Sequence, residues 1–289
     1  MSTGTASAPA ASAPARRRTA WPLVAAVVRL EQKSFWRNKQ SAIFSFGLPL
    51  LFVLIFPNLI GGDSGQGVPY KSYFVAGMIA VSLVSSTFAT LAISVTFQRD
   101  LLILKRLRGT PLTPIMLFFG KISSAAISVL IQVVIILAIG RIAYDIPMPV
   151  NWFTFVLFIV LGIVTFSLLG LAYTGFIPNG DSAPALVQLP YLVLQFISGI
   201  FFPFEAMPAW LQHVASVFPL RWLADGLRTG YLGLDFLHGQ TVNGTFVPKP
   251  VTGLDALTSQ WPGLLVLVVW GVAALIVGLR KFRWEKRVG

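Results

Sequence analysis

The 289-residue chain contains no cysteine. Disulfides, thiol nucleophiles and thiolate metal sites are therefore excluded. It has two histidines, His213 and His238. Catalytic zinc usually takes three protein ligands, often histidines, and these are too few. Charge is scarce as well. Only 11% of the residues are Asp, Glu, Lys or Arg, where a soluble domain carries roughly 25%. The phosphate loop G-x-x-x-x-G-K-[ST] is missing: Gly120-Lys121 is followed by Ile122, and Ile115 stands where the first glycine would be. There is no H-E-x-x-H and no G-x-S-x-G. No catalytic residue, metal site or cofactor of its own is assigned to this chain. If it moves a solute uphill, another polypeptide supplies the energy.

What the chain has is apolar bulk. Hydrophobic residues make up 55% and the mean hydropathy is +0.77. A membrane helix needs about 20 mostly apolar residues at about 1.5 Å each. Six segments qualify: 41–60, 72–97, 115–140, 152–176, 185–203 and 261–280. Their central parts contain no Asp, Glu, Lys, Arg or His, so a proton-relay transporter lacks its usual parts. The expected fold is all-α and polytopic, with six spans formed by one domain over 21–289. Residues 1–20 are rich in Ala, Ser, Thr and Pro and are expected to be a disordered tail. The basic Arg16–Arg18 is too far from the first apolar run to open a cleaved signal peptide.

Lysine and arginine set the orientation. With the N-terminus cytoplasmic, 17 of the 22 fall inside, in the N-terminal region, in the second-to-third connection and at the C-terminus. Lys71, Arg141, Arg221, Arg228 and Lys249 fall outside. Both termini are then cytoplasmic, and the net charge of +12 is mostly positive-inside charge rather than a nucleic-acid surface. The loop 177–184 should be inside yet has no basic residue.

Four segments lie outside the bilayer core. The first, WPLVAAVVRLEQKSFWRNK, places Arg29, Lys33 and Arg37 in one helical stripe. With Phe35 and Trp36 beside them, it reads as an interfacial helix with its basic side toward lipid headgroups. The second, RDLLILKRLRGTPLTP, scatters Arg99, Asp100, Lys105, Arg106 and Arg108 among Leu101, Leu102, Ile103, Leu104 and Leu107. A helix that is apolar on most sides is normally covered on most sides. The residues alone leave two readings: a docking helix for another protein, or a short frayed loop. The third, 204–260, begins with apolar sequence cut by Pro219 and is expected to form two half-length outer helices. Arg221, Asp225 and Arg228 are spaced to pair along one face, which makes their charge tolerable near lipid. The rest of that segment reads as an exposed, turn-rich loop carrying an Asn243-Gly244-Thr245 sequon. The fourth is the basic RKFRWEKRVG, with an interfacial Trp284.

The spans carry neutral polar groups. Ser82, Ser86, Thr90 and Ser94 recur every four residues. Such a stripe marks close helix packing first and a substrate route second. Gln132, Gln188 and Gln195 are the largest polar groups in the spans. Gln188 and Gln195 share a helix face, with Phe196, Phe201 and Phe202 nearby. That face suits an amphipathic ligand or a partner helix.

The run QLPYLVLQFISGIFFPFEAMPAWLQHVASVFPLRWLADGLR, 188–228, resembles the signature region of the type-2 ABC exporter permeases. The matching residues are Ser198, Gly199 and Pro203, then Pro208, Trp210 and Leu211, then Pro219, Leu220, Asp225 and Arg228. GTPLTPIMLFFGK is similar to that family's second-to-third connection, although Gln98-Arg99-Asp100 stands where many members have Glu-Arg. The resemblance implies the membrane subunit of an exporter of drugs, antibiotics, lipids or glycolipids in a bacterial plasma membrane. It implies a second permease copy or close paralogue, and a separate ATPase subunit that binds ATP and Mg. It also implies a coupling helix at Arg99, Asp100, Leu101, Leu104, Lys105 and Arg108. Pro203, Pro208, Pro219, Arg221, Asp225 and Arg228 would form an outer gate. Ser86, Thr90, Gln188, Gln195, Phe196, Phe201 and Phe202 would line the route. The rival readings are a non-transporting scaffold or immunity subunit, and an integral-membrane enzyme, which the missing catalytic groups disfavour.

Overall fold

The computed structural model describes residues 20–64, 67–242 and 245–281. The expected disordered tail, Trp284, the basic residues beyond Lys281, Asn243-Gly244 of the sequon and the side chain of Arg108 lie outside the described residues.

Helix α1 (Ala20–Arg37) leads into α2 (Lys39–Ala42), a π-helical turn (Ile43–Gly47) and α3 (Leu48–Ile60). Helix α4 (Tyr70–Val84) runs through a second π turn (Ser85–Ala89) into α5 (Thr90–Asp100). Short α6 (Ile103–Arg108) precedes α7 (Pro114–Tyr144), α8 (Trp152–Tyr173) and α9 (Ala183–Ile197). Beyond a 3₁₀ turn (Phe204–Ala206) come α10 (Ala209–Val217) and α11 (Pro219–Leu232). Strands β1 (Leu234–Val242) and β2 (Thr245–Pro250), then α12 (Gly253–Thr258) and α13 (Trp261–Lys281), complete the order.

The chain is mostly helical, as its composition requires. Among the described residues, four helices are long and apolar enough to cross a membrane: Tyr70–Asp100, Pro114–Tyr144, Trp152–Tyr173 and Trp261–Lys281. The first and fifth expected spans are shorter apolar helices, Ser45–Ile60 and Ala183–Ile197. The fifth stops early, where Gly199 takes a left-handed φ of 72° and Pro203 follows.

Proline and a polar cap place several helix starts. Thr113 accepts a hydrogen bond from the Met116 amide, and Pro114 opens α7. Pro219 opens α11 and separates it from α10, as expected for two half-length helices.

The α4–α5 helix is the centre of the molecule. In α4, 13 residues are buried, against α3, α7, α8 and α11. Helix α11 reaches this core by close approach. A Cβ at Gly226 would lie 2.1 Å from the Phe158 ring, and one at Gly230 would lie 2.7 Å from the Phe155 backbone. Only glycine lets these two helices meet at that spacing.

The segment expected to be an exposed loop is different. β1 and β2 form an antiparallel hairpin, with Leu234 opposite Pro250 and Val242 opposite Thr245. The Asn243-Gly244 dipeptide between them is the strongest short-range hairpin signal in a sequence. Phe236 fixes the hairpin by packing on Tyr73 near the start of α4.

Candidate functional site

Polar side chains buried in this apolar chain must find partners. They do so at three levels, and each level includes a residue of the helix Tyr70–Asp100.

At the Tyr73 end of α4, Arg228 of α11 is fully buried. Its guanidinium donates to the Gly199 carbonyl at 2.7 Å and lies over the Tyr73 ring at 3.7 Å. It also donates to Asp225 at 3.3 Å. The space it fills exists because residue 77 is glycine: a Cβ there would come within 2.8 Å of the guanidinium. Arg221 pairs with the other Asp225 oxygen at 3.5 Å and covers the Phe204 ring at 3.7 Å. Burial pushes the Asp225 carboxyl above its ordinary value, and the two arginines act against that. The expected pairing of Arg221, Asp225 and Arg228 is present. Pro203 and Pro208 sit at the starts of the 3₁₀ turn and α10.

At mid-height, the two π turns face each other across Gln132 of α7. Gln132 donates to the Ser86 hydroxyl at 2.9 Å and to the Ser45 carbonyl at 3.4 Å. Ser45 and Thr90 share a hydroxyl contact of 3.3 Å. The Ser82 hydroxyl returns to the Ile79 carbonyl of its own helix. In this structure the serine stripe therefore serves helix packing. The proposed lining does not form one surface. Gln195 is buried and Gln188 is exposed. They lie about 10 Å apart along the axis, and the packing around α9 differs at those two heights. Phe201 is buried in a ring cluster with Phe52, Phe56, Phe74 and Phe196. Phe196 and Phe202 are exposed.

At the Gln98 end of α5, α1 is bound to the bundle. Val24 and Val27 are buried, and Val27 fills the space left by Gly120 of α7. Glu31 accepts from Lys121 at 2.6 Å and from Gln98 at 3.1 Å. Lys121 in turn donates to the Gln98 carbonyl oxygen at 2.7 Å. Gln98 thus bridges acid and base at once. A glutamate there would set a second carboxylate against Glu31, so the departure from the Glu-Arg pattern suits this network. On the opposite side of α1, Arg29, Lys33, Trp36 and Arg37 are exposed, and half-buried Phe35 packs edge-on against Trp36 at 5.3 Å.

The expected coupling helix is divided. Helix α5 ends at Asp100, and Leu102 adopts a left-handed φ of 57°. That conformation costs leucine roughly 1–2 kcal/mol, and it breaks α6 away from the α5 helix. A continuous helical wheel over 99–108 therefore does not apply. Arg99 is buried and donates to the carbonyls of Thr174, Ile177 and Pro178. Asp100 accepts from the Gly180 amide at 2.6 Å. Leu104 has no exposed surface and belongs to a cluster with Val27, Leu91, Leu117 and Leu171. These three residues face inward, so the docking surface expected from them is smaller. Leu101, 65% exposed, and Leu102, 46% exposed, present the apolar surface, with Lys105 exposed beside them.

The family described as "ABC-2 type transporter" matches residues 22–232. The chain belongs to that family. Within it, the chain is similar to "Inner membrane transport permease YadH" of Escherichia coli K12, 27% identical over 203 residues, or 68% of this chain and 77% of that protein. It is similar to "Probable multidrug ABC transporter permease YbhR" of the same strain, 29% identical over 217 residues. That match covers 73% of this chain and 53% of YbhR, so the chain spans about half of YbhR's length. The molecule is a transmembrane ABC transporter permease, a transport subunit by family. The family match takes in α1 through α11, so all three polar levels described above lie within it. The hairpin, α12 and α13 lie beyond it.

Proposed function

We propose that this permease exports amphipathic molecules from a bacterial cell, as one of two permease copies each docked on a separate ATPase subunit. ATP and Mg are bound by that partner, not by this chain. Both termini and α6 face the cytoplasm, and α10 and α11 cap the outer end. Closure of the ATPases pushes on α6, and the bundle alternates between inward and outward access. The name of YbhR supports drugs as one substrate class.

The observation that carries this reading is the pair of exposed leucines, Leu101 and Leu102, at the root of a short basic helix whose other side is packed into the bundle. Exposed leucines beside lysine and arginine suit a protein surface better than open water. The test replaces both, Leu101→Asp with Leu102→Asp, in a tagged permease purified from its native membrane. The expected result is loss of the co-purifying ATP-hydrolysing chain and loss of ATP-dependent Hoechst 33342 accumulation in inverted vesicles. Unchanged assembly and accumulation would overturn the docking role.

A further inference from the structure

We infer that Arg99 and Asp100 are positioning residues that join α6 to the connection between α8 and α9, so that a push on α6 moves both as one body. This rests on the reading of α6 as the ATPase contact and adds the route by which the push leaves it.

The geometry is specific. Arg99 is 5% exposed, and its fork spans three backbone carbonyls: Thr174 at 3.1 Å, Ile177 at 2.8 Å and Pro178 at 3.2 Å. These carbonyls follow the C-terminal end of α8, where the helix leaves partial negative charge and unpaired acceptors. The neighbouring carboxylate is not the main partner. Arg99 Nε and Asp100 Oδ1 stand 3.7 Å apart, and neither has a hydrogen bond. Asp100 instead spends its other oxygen on the Gly180 amide, two residues beyond Pro178. Two successive residues at the end of one helix thus grip both ends of a seven-residue backbone stretch, 174–180.

Gly180 tightens the grip. A Cβ at that position would lie 2.9 Å from the Phe97 ring, one turn back from Asp100. The loop and α5 are therefore in direct backbone-to-side-chain contact. The chain leaves this anchor through Leu101 and the left-handed Leu102 to enter α6. Little slack separates the exposed leucines from the anchored pair. A surface residue chosen for an ATPase would not bury its guanidinium on its own chain. This loop also has no basic residue of its own, and Arg99 supplies the positive charge at its root.

Lysine cannot reproduce the bond. Its single ammonium is a point charge, whereas the planar fork reaches carbonyls three and four residues apart together. The test therefore uses Arg99→Lys, which keeps the charge. The chain lacks cysteine, so Thr110→Cys and Asp181→Cys, both exposed positions, take spin labels at unique sites. The labelled permease is studied with its co-purified ATPase in lipid nanodiscs, with and without ATP and vanadate. In the Arg99 background the distance between labels stays narrow in both states. In Arg99→Lys the ATPase remains bound, the distance distribution broadens, and Hoechst 33342 accumulation per ATP hydrolysed falls roughly tenfold, the weight of one lost charge-assisted hydrogen bond. A narrow distribution and unchanged accumulation per ATP in Arg99→Lys would overturn the proposal. Loss of ATPase binding in Arg99→Lys would also overturn it, by making Arg99 part of the docking surface. Failure of the docking reading itself is read separately, as unchanged ATPase binding in the leucine variants.

Discussion

Two buried arginines end the same long helix system in different ways. Arg228, beside the Tyr73 end, is held by a carboxylate of its own helix, an aromatic face of α4 and a carbonyl beyond α9. Arg99, at the opposite end, holds the carbonyls of a single loop and leaves its adjacent acid out of hydrogen-bonding range. The first arrangement locks α4 and α11 to the turn that follows α9. The second fastens a short stretch of backbone to the base of α6, where Leu101 and Leu102 remain exposed. A buried charge with many partners fixes a shape. A buried charge with one partner element can carry motion from one segment to the next.

The largest effect that would break this comparison is at Arg228. Arg228→Ala leaves Asp225 buried with only Arg221, and removing one partner of a buried ion pair costs about 3–5 kcal/mol. The expected outcome is a large drop in the detergent-solubilised melting temperature, read by intrinsic tryptophan fluorescence. A drop no greater than that of Arg99→Lys would abolish the distinction between the two ends. Gly226→Ala should cost less, about 1–3 kcal/mol for an overpacked contact, because its Cβ overlaps the Phe158 ring. The same melt reports it, and an unchanged melting temperature would show that α8 and α11 separate freely. Asp100→Asn should have the smallest effect, below about 1.5 kcal/mol, since an amide oxygen can still accept from Gly180. Its melt and its transport should both stay near those of the unaltered chain.

Much of the fold was legible because the bilayer imposes simple rules. Apolar run lengths located the helices, Pro219 located the break between α10 and α11, and spacing alone paired Arg221 with Asp225 and Arg228. The Asp100 end of the long helix was less legible. A helical wheel assumes one uninterrupted helix, and Leu102 violates that with a conformation that leucine rarely adopts. Arg99 and Leu104, placed in the coupling helix by the family resemblance, both turn in. The basic residue missing from loop 177–184 was the available signal, because Arg99 fills that need from another segment. Gln188 and Gln195 shared a face by periodicity, yet periodicity says nothing of what stands beside each turn of a helix. The hairpin was written in Asn243-Gly244, a dipeptide that also begins a sequon.

The π turn at Ser85–Ala89 has a consequence at a distance. A π turn holds one more residue than the α-helical turn it replaces. Each residue of an α-helix advances about 100° around the axis. The wide turn therefore absorbs the surplus residue, and Thr90 to Asp100 keep the angular phase of a plain helix one residue shorter. Wound as α-helix throughout, the same residues would carry Arg99 about 100° further round the axis, away from the carbonyls it holds. The direction in which the Asp100 end of this helix points is thus encoded about three turns away, in the π turn.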